Sequence, residues 1–165
     1  MLVAEHTLVA RNQTVLSRFL RQITEPLLYT GESPVRFASK DNGLVLVEAS
    51  VGSDNEYNTL RLETKERAAK EIVATILPAI KEFRGINVPD VRSFGVVAIY
   101  GTKDFSAPDS TPEPEVVALV ASVENCRKLD QAEITEEDFV ASSDIYLVDK
   151  DSADARKVKI SLDAH

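Results

Sequence analysis

Histidine and cysteine are almost missing from this chain. Two histidines, His6 and His165, stand near or at its ends, and Cys126 is the single thiol. These side chains change charge or bind soft metals near neutral pH. Their scarcity removes the commonest acid–base, nucleophilic and transition-metal sites and leaves carboxylates, hydroxyls, Lys or Tyr to carry any chemistry. One cysteine also rules out an intramolecular disulfide framework and a multi-cysteine zinc site. Beside Arg127 and Lys128, Cys126 reads as a small, half-buried filler.

Further absences narrow the partners. With 27 acidic against 19 basic residues and a formal charge of −8, the chain lacks the clustered Lys and Arg that grip a phosphate backbone, so nucleic acid is not an expected partner. Its longest apolar stretches, such as Leu44–Val47 and Val96–Ile99, fall far short of the ~20 residues that span a bilayer, so no membrane partner is expected. The N-terminus carries no basic segment followed by an apolar secretory core, which leaves the cytoplasm as the expected location. The six glycines, Gly31, Gly43, Gly52, Gly85, Gly95 and Gly101, never fall as G-x-G-x-x-G, and no G-x-x-x-x-G-K-[ST] occurs, so no cofactor is expected. Asp149-Lys150-Asp151-Ser152-Ala153-Asp154 resembles a calcium loop only superficially. Ala153 holds its fifth position, Asp154 replaces the glycine and Ile160 replaces the terminal Glu, so the segment reads as a solvated turn and no metal is expected.

What is present is the composition of one ordinary globular domain over 165 residues, 44% hydrophobic and 28% charged. From Thr7 to Glu25, Leu8, Val15, Leu16, Phe19, Leu20 and Ile23, continued by Leu27, recur at helical spacing among Arg11, Arg18, Arg21 and Gln22, which predicts an amphipathic helix ended by Pro26. Val35–Lys40 and Leu44–Val51 flank Asp41-Asn42-Gly43, a hairpin signal. A Gly-Ser-Asp-Asn turn and a third strand, Asn58–Glu63, are expected next, with Leu60 and Leu62 pointing inward. Thr64 is the expected N-cap of a second long helix with the stripe Ala68, Ala69, Ile72, Val73, Ile76, Leu77, Ile80 and Phe83. That helix should be kinked at Pro78 and closed at Gly85.

Ser93–Thr102 and Glu115–Glu124 read as central strands of a long hairpin, its tip an exposed Pro-rich acidic loop over 104–114. Thr135-Glu136-Glu137-Asp138 is a variant capping box opening a short helix, and Ile145–Val148 and Lys157–Leu162 complete the strands, the last as a lysine-guarded edge. The expected fold is α+β, a single mostly antiparallel sheet with two long helices packed on one face. Its order is α-βββ-α-ββ, then a short helix and two strands. In element order, acidic balance and small size the chain resembles the type III secretion chaperones, a likeness of topology that no residue motif carries and that assigns no family.

These features favour a non-catalytic binding protein, chaperone-like or adaptor-like, that presents an apolar helix–sheet surface to a protein partner or to itself as a homodimer. Leu16, Phe19, Leu20 and Ile23 are its candidate contact residues. The alternative is a small ligand-binding domain or enzyme with a pocket at the end of the central strands, at Tyr100, Lys103 and Asp104. Glu48, an acid within an apolar strand, is a further position of interest, and the Pro-rich loop is a candidate docking tag.

Overall fold

An extended hairpin is the first described feature of the chain. In the computed structural model, β1 (Val35–Lys40) runs antiparallel to β2 (Leu44–Asn58), with Lys40 opposite Leu44 as a tight connection requires. The structure describes residues 35–40, 44–83, 91–107, 109–148 and 155–162, with side chains from 53 onward. The predicted helix at Thr7–Glu25, the tight turn at 41–43, Gly85 and the turn at 149–154 lie outside the described residues.

The first correction concerns β2, which does not stop at Gly52. The predicted Gly-Ser-Asp-Asn turn is a bulge inside one 15-residue strand: Gly52 pairs with Ile99, and pairing resumes at Glu56 opposite Gly101. A Cβ on Gly101 would lie 3.2 Å from Glu56 Cγ and 3.5 Å from the Asn55 carbonyl oxygen, so the bulged strand approaches β3 closely here. Residues 59–62, predicted as a third strand, form a turn in which the Asn58 side chain accepts the Leu60 N–H at 3.0 Å. Leu60 is consequently 65% exposed, not inward.

The helical segment begins at α1 (Thr64–Glu71), whose N-cap is Glu63, one residue before the expected Thr64; the Glu66 carboxylate accepts the Glu63 N–H at 2.7 Å. A π-turn over Ile72–Ile76 joins α1 to α2 (Leu77–Glu82). The expected disturbance at Pro78 takes this form, since proline has no N–H to donate and its ring would crowd the carbonyl one turn back. Leu77 bonds back to the Ile72 carbonyl, and Val73 is turned to solvent while Ala68, Ile72, Ile76, Leu77, Ile80 and Phe83 are buried.

This segment is a crossover, and it changes the sheet. Because the predicted second and third strands are one, a single helical return brings the chain back to the starting end, and β3 (Val91–Lys103) lies parallel to β2. The sheet is therefore mixed: it is mostly antiparallel, as expected, with β2–β3 as its one parallel pairing among the described residues. Its order is β1-β2-β3-β4-β5-β6, with β4 (Glu113–Ser122), β5 (Asp144–Val148) and β6 (Ala155–Val158) added antiparallel. The expected hairpin of the two central strands is present. Its second strand ends two residues early, where Ser122 caps α3 (Val123–Asp130) by accepting the Asn125 N–H at 3.1 Å. Cys126 accordingly sits buried in a helix, not at a strand exit. Thr135 caps α4 (Glu136–Ala141) as its sequence indicates, accepting the Asp138 N–H at 3.1 Å and donating to that residue's carboxylate at 2.9 Å. The last strand is shifted and shorter than Lys157–Leu162, although Ile160 still reaches the core.

One hydrophobic core joins these parts. Phe94, Val96, Ala98 and Tyr100 of β3, Val117, Leu119 and Ala121 of β4, and Ile145 and Leu147 of β5 pack against α1, α2, α3 and α4. The described helices thus share one face of the sheet. Of the two long helices expected there, the described residues contain one, accompanied by two short ones. Phe83 stacks on Phe94 with ring centroids 4.5 Å apart, fixing the end of α2 on β3.

Candidate functional site

Two features follow from this frame: a polar cluster under the crossover helix and the opposite face of the sheet, on which none of the described helices packs.

The cluster forms where the β2 bulge, α1, β3 and β4 meet. Arg67 and Glu71, one turn apart on α1, both point under the helix. The guanidinium of Arg67 grips Glu115 of β4 through two bonds, Nε to Oε2 at 2.9 Å and Nη2 to Oε1 at 2.5 Å. It also donates to the Leu62 carbonyl and, at 3.0 Å, to Thr64 Oγ1. Glu71 is fully buried. Its Oε2 accepts from Tyr57 at 2.9 Å and from Asn55 Nδ2 at 3.0 Å, while its Oε1 has no partner. Tyr100, 2% exposed, meets Tyr57 edge to face with centroids 5.4 Å apart. Its buried hydroxyl makes no well-aligned hydrogen bond, although Glu115, opposite it on β4, lies close enough to interact with it.

The electrostatics hold Tyr57, Tyr100 and Arg67 in their protonated forms. Burial pushes the Tyr57 hydroxyl well above the usual tyrosine range, and the hydrogen bond to Glu71 adds to it. Burial does the same to Tyr100, helped by the charge of Glu115 across the β3–β4 pair. The bond to Glu115 raises Arg67 further still. All three are moved away from neutral pH, the range in which a proton-transfer group is useful. The cluster acts as a polar clamp that ties the crossover to the two central strands.

The three residues grouped by sequence do not converge. Tyr100 faces the helices, whereas Lys103, three positions on, alternates to the other face of β3. Asp104 begins the following loop, where its carboxylate accepts from Ser106 N–H at 2.8 Å and from Ser106 Oγ at 2.6 Å; these bonds hold it below the usual carboxylate range. Glu48 pairs with Arg36 and Gly95 in backbone register. Leu16, Phe19, Leu20 and Ile23 lie outside the described residues. The residues that sequence reasoning missed are Asn55, Tyr57, Arg67, Glu71 and Glu115. Arg67 and Glu71 carried a signal, since each adjoins a stripe position, Ala68 or Ile72. Among the described residues no group of three or more His, Cys, Asp or Glu could hold a metal ion, and no helix is long and apolar enough to cross a membrane.

The opposite face is built by the alternate residues of the same strands. Val97 and Ile99 of β3, Val116, Ala118 and Val120 of β4, and Tyr146 and Val148 of β5 alternate with the core positions. All are half-buried except Ile99, which is 43% exposed. An ion pair between Lys157 Nζ and Asp144 Oδ1, 2.7 Å long, borders this apolar stripe at the β6 side. Such an arrangement can bind an apolar partner surface. No protein family matches the chain, and comparison with curated proteins and with solved structures finds no match.

Proposed function

We propose that this protein is a non-catalytic binding module, adaptor-like or chaperone-like, whose docking surface for a protein partner is the open face of its sheet. The observation that carries the reading is the contiguous apolar stripe from Val97 and Ile99 across Val116, Ala118 and Val120 to Tyr146 and Val148, on the face away from the described helices. Parallel strand pairs are ordinarily covered on both faces, and β2 and β3 form such a pair. An amphipathic helix laid along the stripe would supply that cover. The alternative, a small-molecule pocket at the end of the central strands, draws less support. There Glu71 and Tyr100 are buried beneath the helix, and a ligand would have to displace the Arg67–Glu115 pair to reach them.

A photo-crosslinking residue at Ile99 tests the reading in cells that make the protein. A discrete protein adduct is expected from Ile99 and none from Gln131, which is exposed beside the helices. Val120→Asp should remove that adduct. Absence of any adduct from Ile99, or its persistence in Val120→Asp, would refute the open face as the docking surface.

A further inference from the structure

We propose that the end of the sheet where β2 and β3 finish side by side is a second docking surface, anchored by Leu60 and Phe105, for a protein segment that carries apolar side chains flanked by Lys or Arg. This surface is separate from the open face of the sheet, and either can fail without the other.

A single exposed apolar side chain is ordinary on a protein surface. Here two of the four large ones exposed among the described residues, Leu60 at 65% and Phe105 at 53%, share one end of the sheet. Each follows by two residues the last pairing of β2 with β3, Asn58 opposite Lys103, and the Thr59 N–H donates to the Lys103 carbonyl at 3.0 Å, tying the two exits together. Both side chains stand on hydrogen-bonded turns. Asn58 closes the turn that carries Leu60, its side chain accepting the Leu60 N–H at 3.0 Å and its carbonyl the Leu62 N–H at 3.2 Å. Asp104 does the same around Phe105: its carboxylate accepts from Ser106, and its carbonyl accepts the Ala107 N–H at 3.1 Å and the Ser110 hydroxyl at 3.1 Å. Turns ordered before binding lose less conformational freedom on docking, and aromatic side chains are enriched at the cores of interfaces.

Charge selects the partner. No Lys, Arg or His occurs between Lys103 and Arg127, so the stretch that presents Phe105 carries Asp104, Asp109 and Glu113 with no cation of its own. Asp109 and Glu113 are exposed, and the bonds from Ser106 favour the ionised form of Asp104. Such a rim repels phosphates and anionic lipid headgroups and attracts Lys and Arg. The acidic Pro-rich loop thereby acquires a role that its composition alone did not specify: it supplies the charged border of an apolar anchor site.

Fluorescence anisotropy of a fluorescein-labelled Lys-Leu-Lys-Phe-Lys-Leu-Lys peptide, titrated with the full chain, tests the proposal against a Glu-Leu-Glu-Phe-Glu-Leu-Glu control. The basic peptide should bind saturably and the acidic one should not. Phe105→Ser should weaken binding about tenfold, as the loss of one buried aromatic contact implies, and Leu60→Ser by a similar factor. Neither change alters the charge of the chain, and both sites are exposed, so unchanged urea midpoints should show that the variants stay folded. Asp109→Asn should weaken binding as well, whereas Val120→Asp, on the open sheet face, should not. No saturable binding of the basic peptide would overturn the proposal. Equal affinity in the parent, Phe105→Ser and Leu60→Ser would also overturn it, by showing plain attraction to an acidic chain. Binding kept in Phe105→Ser and lost in Val120→Asp would overturn it too, and would place such a segment on the open sheet face instead.

Discussion

Removing Glu115 should cost more than removing Arg67, although the two form one ion pair. The Arg67 side chain is 7% exposed and that of Glu115 24%. Without Glu115, the guanidinium keeps only the Leu62 carbonyl and Thr64 Oγ1 and has little access to water. Stranding one partner of a buried pair costs about 3–5 kcal/mol, and for Glu115→Leu the lower end, about 3 kcal/mol, is expected because the pair is only partly shielded, Glu115 keeping 24% exposure. In Arg67→Met the surviving carboxylate can still recruit water, so about 2 kcal/mol is expected, the scale of lost charge-assisted hydrogen bonds. Replacing both by apolar residues strands nothing. The double variant Arg67→Met/Glu115→Leu should lose no more than about 2 kcal/mol, which implies a coupling of about 3 kcal/mol. Urea unfolding followed by circular dichroism measures all four proteins, with an unchanged m-value confirming that the midpoints report stability. A single Glu115→Leu cost under about 1 kcal/mol, or additive single effects, would refute the clamp and describe an ordinary solvated surface pair.

Three further outcomes follow from the geometry. Ala132 holds a φ of 55° just beyond α3, where Ala132 N–H bonds to the Leu129 carbonyl and Glu133 N–H to the Lys128 carbonyl, the arrangement that favours glycine. Ala132→Gly should raise stability by about 0.5–1 kcal/mol in the same urea assay, since the left-handed penalty outweighs the added unfolded-chain entropy; a loss would contradict this. Tyr57→Phe removes the donor to Glu71 and should cost about 1.5–3 kcal/mol, whereas Tyr100→Phe removes a hydroxyl without a well-aligned partner and should be neutral or stabilising; equal losses would show the Tyr100 hydroxyl to be engaged. Both hydroxyls titrate above the ordinary value of 10.0 in the folded chain. The unfolded chain therefore releases these protons first, so their contribution is intact below pH 10 and declines above it, by up to ~1.4 kcal/mol per pH unit for each tyrosine. Urea midpoints from pH 9 to 11 should fall less steeply in Tyr100→Phe than in the parent, and equal slopes would exclude the linkage.

Local chemistry was legible in proportion to how strictly it needed particular residues. The first hairpin was plain because Asp41-Asn42-Gly43 is a strong turn signal between two extended runs, and those runs pair antiparallel. Thr135 and Asp138 marked a helix start because few side chains can bond a free N–H there. The short helix at Val123–Asp130 escaped notice because a strand leads directly into it and only Ser122 marks the boundary. In the same way, the alternation of Leu60 and Leu62 imitated a strand inside a turn that Asn58 closes through its own side chain and carbonyl.

By itself the sequence determined the class of the protein: a single α+β sheet with amphipathic helices, poor in the residues that most catalysis uses. Periodicity and turn chemistry act over a few residues, and these features depend on nothing more distant. Only the tertiary structure decided that β2 runs through its bulge, because the partners that keep it extended, Gly101, Thr102 and Lys103, lie some 45 residues further along the chain. From that one pairing came the parallel β3, the mixed sheet and the burial of Arg67 and Glu71 beneath the crossover. The scarcity of histidine and cysteine first suggested function by shape. The fold adds an apolar sheet face assembled from β3, β4 and β5, strands that no local pattern could bring together.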